Sequence, residues 1–185
     1  MKSKATKTTS GARTVQQAIR QTRPFRSAAQ EAVVALLLTA EAVRNRFAAL
    51  LAGHEEITFQ QYNVLRILRG AGSQGLPTLE IVERMVEKTP GITRLIDRLE
   101  AAQLVERERQ ESDRRQVFCR ITARGAKLLQ GLDPQVDALD DDALSILSKS
   151  ELTALVALLD RIRNHATREA ATTSPRPPRT PRRTA

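Results

Sequence analysis

Aromatic residues are scarce in this chain of 185 residues, at 3% of the sequence, and tryptophan is absent. Sheet surfaces that bind single-stranded RNA stack bases on exposed aromatic rings, so this composition does not favour that class of protein. Hydrophobic residues nevertheless make up 41% of the chain, which is typical of a globular core. Leucine, isoleucine, valine and alanine must supply most of that core.

Cysteine and histidine are almost absent, since only Cys119, His54 and His165 occur. One cysteine cannot form a disulfide within the chain, and the basic N-terminal stretch has no apolar signal segment, so we expect a cytoplasmic protein. The sequence HEE at 54–56 is not the HExxH zinc motif, and we expect no metal. The apolar run 32–42 is too short to cross a membrane, so no membrane partner is expected.

Motifs of catalysis are also missing from the sequence. It contains no glycine-rich phosphate loop, nucleophile elbow, metal-ligand cluster or Cys/His/Asp arrangement. The acidic run 140–142 invites an acid–base or metal interpretation, but a solvated helix face is the plainer one. The sequence therefore predicts a protein that is not an enzyme and needs no cofactor.

The positive charge is concentrated at the two ends of the chain. Residues 1–30 hold seven Lys or Arg and residues 171–185 hold four, with no Asp or Glu in either segment. Removing these eleven charges from the net charge of +9 leaves −2 for residues 31–170. We predict disordered tails over 1–26 and 169–185, the second rich in Pro and Arg. Such tails would attract phosphate backbones by counterion release, or would serve only as solubilising ends.

Two segments near the tails show the spacing of long amphipathic helices. In 27–57 the apolar residues recur every three or four positions, and further apolar residues (Val34, Leu38, Leu51) widen the stripe beyond what one small domain would cover. In 123–168 a stripe from Leu152 to Ile162 follows a capping box of Ser148 and Glu151. A partner subunit is the simplest cover for these faces, so we predict dimerisation helices.

Between these helices the start and stop signals indicate three shorter ones. Thr58 and Gln61 form a capping box for a helix that ends at Gly70. Thr78 is predicted to cap a short helix. Thr89, followed by Pro90 at the first helical position, predicts the start of a helix over about 89–102.

The helix at 89–102 has one apolar face and one polar face, the apolar side consisting of Ile92, Leu95, Ile96 and Leu99. Thr89, Thr93 and Arg94 lie at its N-terminal end, where exposed amides and the helix dipole favour phosphates and where a helix-turn-helix contacts bases. Arg98 lies one turn further along. The plainer alternative is that Arg94 and Arg98 pair with Asp97 on the helix surface.

A basic β-hairpin is predicted next. Val117, Cys119 and Ile121 alternate with polar or exposed positions, as in a strand with one face inward, and a charged loop separates it from an earlier strand. The wing, at about 107–116, carries a cluster of arginines at its tip: Arg107, Arg109, Arg114 and Arg115. Asp113 is placed to hold one of these guanidinium groups, or forms only a surface pair. Cys119 is expected to be a small buried hydrophobe, the alternative being an oxidant sensor.

Taken in order, the segments ITFQQYNVLRIL, TPGITRLIDRLEAAQLVER, ESDRRQVFCRIT and TARGAKLL resemble the multiple-antibiotic-resistance regulator (MarR) family. The resemblance covers about 31–167. It implies a mainly α fold with a small β-hairpin wing: a winged helix-turn-helix at 58–122 between dimerisation helices at 27–57 and 123–168. It departs from the family at Gln103, where a glycine usually takes a left-handed conformation.

The resemblance further implies a sequence-specific regulator, as a repressor, that binds a palindromic double-stranded operator as a homodimer. The recognition helix would enter the major groove through positions that match Thr89, Thr93, Arg94 and Arg98. The Asp-x-Arg motif, Asp113 and Arg115, would send an arginine into the minor groove. A small aromatic or phenolic effector would release the DNA. The alternative is an architectural protein that coats DNA with little sequence preference, which the basic tails favour.

Overall fold

The computed structural model of the chain describes residues 13–54, 57–88, 90–109 and 117–173. These residues fall into two units, one that ends at Leu139 and one that begins at Asp140. None of the described helices is long and apolar enough to cross a membrane. The elements are, in chain order, α1 (Val15–Ala18), α2 (Ala28–Ala52), α3 (Phe59–Ala71), a 3-10 turn (Gly72–Gln74), β1 (Leu76–Pro77), α4 (Thr78–Arg84), α5 (Ile92–Ala101), β2 (Val105–Arg109), β3 (Val117–Ile121), α6 (Ala123–Leu144) and α7 (Lys149–Thr173).

Both segments predicted to be disordered tails include residues that form helices. Helix α1 lies inside the segment predicted to be disordered, and it contacts α2. Thr14 closes a capping box there, accepting a hydrogen bond from the Gln17 amide at 3.3 Å while its own amide donates to Gln17 Oε1 at 2.9 Å. At the other end α7 continues to Thr173. Charge and composition indicated the tails correctly as basic, but local capping decides where helices occur.

The core of the first unit is the winged-helix region. Helix α3 begins at the predicted capping box of Thr58 and Gln61 and buries Tyr62, Val64, Leu65 and Leu68. Three antiparallel strands in the order β1-β3-β2 complete it, with Val105 opposite Ile121 and Leu76 opposite Cys119. The predicted mainly α winged-helix fold is therefore confirmed. Strand β1 was not predicted, because two residues carry no detectable period.

Helix α4 differs from its prediction at its start. Thr78 is the first helical residue rather than the cap, and Pro77 precedes it without a side-chain capping bond. The Thr78 hydroxyl instead lies 3.9 Å from Cys119 Sγ. Leu79, the second residue of this helix, is 79% exposed.

Helix α5 begins later than predicted. Its cap is Gly91, whose carbonyl accepts the first helical hydrogen bond from the Leu95 amide at 3.0 Å. Pro90 lies in the preceding turn. The start signal was ambiguous because proline suits both the first position of a helix and a turn, which need the same φ.

Gln103 adopts the left-handed conformation, with φ +58°. The amide of Gln103 donates to the Glu100 carbonyl at 2.8 Å and that of Leu104 donates to Leu99 at 2.9 Å, the two bonds of a Schellman motif. The Thr122 hydroxyl donates to the Gln103 carbonyl at 2.7 Å. The end of α5 is thus fixed in the glycine-type geometry although glycine is absent.

Thr122 caps the start of helix α6, since its Oγ1 accepts a hydrogen bond from the Gly125 amide at 3.0 Å. A Cβ on Gly125 would lie 2.3 Å from the Leu104 carbonyl oxygen, so α6 packs directly against the chain that leaves α5. The helix continues through Pro134 to Leu144. Leu132 and Val136, buried on either side of Pro134, offset the one hydrogen bond that proline removes.

Candidate nucleic-acid interface

The outer face of α5 is polar and exposed, as predicted. Thr93, Arg94, Asp97 and Arg98 are all exposed, while Ile96 and Leu99 are buried. Asp97 pairs with Arg107, whose Nη2 lies 2.5 Å from Asp97 Oδ1. Among the residues that the structure describes, Arg94 and Arg98 have no ion-pair partner. Two guanidinium groups are thus available to an external anion.

The two flanks of α5 border different clefts. Thr93 lines a groove of about 630 Å³ together with Arg107 and Leu79. Arg94 and Arg98 line a smaller cleft of about 250 Å³ that Gln60 and Gln61 border from α3. The predicted contact residues therefore divide between two sides of one helix.

Arg107 does not lie at the tip of the wing, where the sequence analysis had placed it. It is in the middle of β2, opposite Cys119, and its guanidinium turns toward α5. The strand period explains this orientation, since Val105 and Arg107 share a face and Val105 is buried. The two-residue period of a strand, applied from the apolar Val105, would have placed Arg107 on the inward face.

The structure describes only one of the remaining predicted contact residues. Arg109 is the last residue of β2, with Val117 as its Cα partner. Thr89, Asp113, Arg114 and Arg115 lie outside the described residues. Their proposed roles stay predictions.

The turn before α5 is held by side chains that the sequence analysis missed. Arg44 Nε of α2 lies 2.7 Å from Glu87 Oε1, and Gln60 Nε2 of α3 donates to Glu87 Oε2 at 2.9 Å. Asn63 Oδ1 accepts a hydrogen bond from the Val86 amide at 3.0 Å. The turn is therefore held by side chains of both α2 and α3. Contacts between residues far apart in sequence cannot be predicted from a local pattern.

A second missed contact joins α3 to α6. Arg69 donates two hydrogen bonds to Asp133, at 2.7 and 2.9 Å, and these bonds hold the pKa of Asp133 below its ordinary value. Burial raises the pKa of Tyr62 nearby. This pair holds α3, which borders the interface, against α6.

Cys119 is fully buried, as the strand alternation predicted. Burial raises the pKa of its thiol, whereas a reactive thiol needs a lowered pKa and exposure. Within the described ranges no group of three or more His, Cys, Asp or Glu side chains is placed to hold a metal ion. The chemistry available is therefore that of arginine and hydroxyl side chains on an exposed helix, which suits phosphates and base edges.

Comparison with known proteins agrees with this geometry. The MarR family model matches residues 57–117. The transcriptional regulator MhqR of Bacillus subtilis is 31% identical over 102 residues, which are 55% of this chain and 69% of that protein.

Two solved structures are also similar. A MarR transcription factor from Planctomyces limnophilus is 36% identical with a TM-score of 0.58, over 74% of this chain and 98% of that one. Sco3205 of Streptomyces coelicolor, a MarR family regulator in complex with DNA, has a TM-score of 0.68 over 78% of this chain and 92% of its own, at 19% identity. At that identity the likeness concerns the fold alone.

Proposed function

The chain belongs to the MarR family of DNA-binding transcriptional regulators, and from this premise we propose that it is a homodimeric repressor that places α5 in the major groove of a palindromic operator. The observation that carries the proposal is the outer face of α5, where Thr93, Arg94 and Arg98 are exposed above a buried apolar face. Arginine can bind guanine bidentately and threonine can contact a thymine methyl group. A regulator of this kind is not an enzyme, and a cytoplasmic location stays a prediction.

The wing extends the proposal to the minor groove. Strands β2 and β3 pair from Val105 opposite Ile121 to Arg109 opposite Val117, so the segment 110–116 connects their ends. Arg109, Arg114 and Arg115 would supply positive charge there, with Asp113 orienting one guanidinium. A narrow minor groove attracts arginine through its negative potential.

The dimer is supported by apolar side chains that each long helix leaves exposed. In α2 Leu37 is 65% exposed, and in α7 Val156 is 58% exposed. Helix α7 has 25 residues, and none of its side chains described over 149–168 is buried. Since most helical stability in proteins comes from burying an apolar face, a second copy of the chain would supply the missing cover and present two recognition helices to the two half-sites.

An effector site is proposed at the junction of α2 and α3. A cavity of about 510 Å³ is lined there by Arg44, Asn45 and Phe59, among others. Phe59 offers a ring to a small aromatic or phenolic anion, which would compete with Glu41 and Glu87 for the guanidinium of Arg44. Such a ligand would weaken DNA binding only through its differential affinity for two forms of the protein.

Fluorescence anisotropy tests the main proposal. The full-length protein is titrated against DNA from its own upstream region, in competition with random duplex at near-physiological salt. We expect one dimer per site and a preference of about 10³ or more. Arg94→Ala should relax sequence preference, and Arg115→Ala should weaken binding to all sequences.

The control variant is Arg163→Ala, since Arg163 is exposed on α7 and pairs with Asp160 within the same helix. Its affinity should match that of the wild type. Unchanged affinity in both Arg94→Ala and Arg115→Ala would contradict the assigned interface.

The second candidate, an architectural DNA-binding protein, is favoured by the basic ends of the sequence. Removing residues 1–12 and 174–185 should lower the salt dependence of binding. If the wild type binds upstream and random DNA equally, the architectural function is preferred to the repressor.

A further inference from the structure

Arg107 contacts α5 at three points along two turns. Its Nη2 lies 2.5 Å from Asp97 Oδ1 and 3.3 Å from the Thr93 carbonyl oxygen, and its Nε lies 3.6 Å from Glu100 Oε2. The Arg107 side chain is 25% exposed, against 52% for Asp97 and 44% for Glu100. One side chain of the wing therefore reaches the recognition helix from its first turn to its last.

The pleat of β2 directs Arg107 to this position. Glu106 and Glu108 point to the opposite face, where Glu108 pairs with Arg120 of β3. Arg120 Nε in turn donates to the Ser73 carbonyl at 2.8 Å. The strand is thus held on both faces, and the Arg107 face is the one that meets α5.

We propose that Arg107 is a positioning residue for DNA recognition, which fixes the angle between the wing and the recognition helix without contacting DNA itself. The inference rests on the proposed function. Hydrogen bonds to base edges tolerate only a few tenths of an ångström in distance, so a helix in one groove and a wing in the next must keep a fixed separation. The planar fork of arginine suits this task, because it directs several bonds at once where lysine presents a point charge.

A positioning role predicts a local effect rather than a loss of folding. Partly exposed ion pairs contribute little to the free energy of unfolding. In the DNA-free, full-length Arg107→Ala variant we expect the melting temperature to stay within about 2 °C of the wild type. Hydrogen–deuterium exchange should become faster in peptides that cover 92–101, while peptides from α3 stay unchanged.

The matched control for exchange is Arg94→Ala, which removes an arginine from α5 that has no ion-pair partner among the described residues. It should leave exchange in 92–101 as in the wild type. Equal exchange in Arg107→Ala and wild type would overturn the proposal.

Binding to a duplex site selected from a randomised library supplies the second arm. Arg107→Ala should lose about ten-fold in affinity for that site and little for random duplex, with an unchanged salt slope. Arg107→Lys should lose a similar factor, and so should the double variant Asp97→Asn with Glu100→Gln. Adding Arg107→Ala to that double variant should cost no more, because the partners act as one unit.

Two binding results would overturn the proposal. A salt slope lower by about one, with equal loss on both duplexes, would mean that Arg107 contacts a phosphate. Full affinity in Arg107→Lys would mean that charge alone matters. A wild-type protein that selects no site would instead overturn the proposed function, while faster exchange in Arg107→Ala would still establish the link between strand and helix.

Discussion

Helices α5 and α7 differ in how many of their apolar side chains are buried. Helix α5 has 10 residues and buries Ile96 and Leu99, whereas in α7 none of the side chains described over 149–168 is buried. Helix α2, of the same length as α7, buries only Leu51. The winged-helix region therefore buries its apolar residues in its own core, whereas α2 and α7 leave apolar side chains exposed.

The short and the long helices of this chain therefore differ in the contacts that stabilise them. The short helices are stabilised by neighbours that are close in the fold, such as Leu65 and Leu104. A long helix with an exposed apolar face gains less stability from burial of its own side chains. Substitutions on the two kinds of helix should consequently affect different measurements.

The largest effect is expected from Leu37→Glu in α2. A charge in the exposed apolar face should prevent dimerisation, and the loss of two-site binding should lower operator affinity by at least about 100-fold. Sedimentation equilibrium and anisotropy measure both quantities. Ala42→Glu adds the same charge about 140° around the helix axis and should leave the dimer intact. A Leu37→Glu variant that remains dimeric would contradict the contrast between α2 and the winged-helix region.

The next effect is expected in the core. Leu99→Ala removes a fully buried side chain and should lower the free energy of unfolding by about 3 kcal/mol. Leu79→Ala is the same chemical change at an exposed position and should cost under about 0.5 kcal/mol. Urea unfolding of both variants makes the comparison. Equal costs would mean that burial is not what distinguishes α5.

A gain of stability is expected at Gln103. Glycine has no Cβ penalty at positive φ, so Gln103→Gly should raise the free energy of unfolding by about 1 kcal/mol. Gln103→Ala keeps the penalty and should resemble the wild type. If both variants are equally stable, the bond from the Thr122 hydroxyl, rather than strain, determines this helix end.

The smallest effect concerns Asp133 and pH. Its pKa is lowered in the folded state because Arg69 donates two hydrogen bonds to it. The carboxylate therefore stabilises the fold above its unfolded pKa, and this contribution is lost as the pH falls through the lower folded pKa. Since the pair is partly exposed, we expect under about 1 kcal/mol. Asp133→Asn should unfold more easily than the wild type at neutral pH, and the difference should shrink in acid.

Much of the fold could be predicted because its signals are local. The apolar face of α5 follows from the helical period, and the burial of Cys119 follows from the strand period. The sequence left open whether Gln103 would take the left-handed conformation that it adopts. Helix starts were less certain, because Thr78 suits the first helical position as well as the cap, and Pro90 suits a turn as well as the first helical position.

The site could be predicted only in part. The sequence identified Thr93, Arg94 and Arg98 as exposed residues of one helix. It could not show that Arg107 turns toward Asp97, or that Arg69 meets Asp133 across 64 positions of sequence. Such pairs depend on how separate elements pack, which periodicity alone does not reveal.

Strand β2 also forms one edge of the three-stranded sheet. An unpaired edge offers its backbone to strands from other molecules, and charged side chains are a common protection against such pairing. Beyond Val105 the strand reads Glu-Arg-Glu-Arg, so its edge presents alternating charges instead of an apolar template. These charges therefore disfavour pairing of the β2 edge with a strand of another molecule.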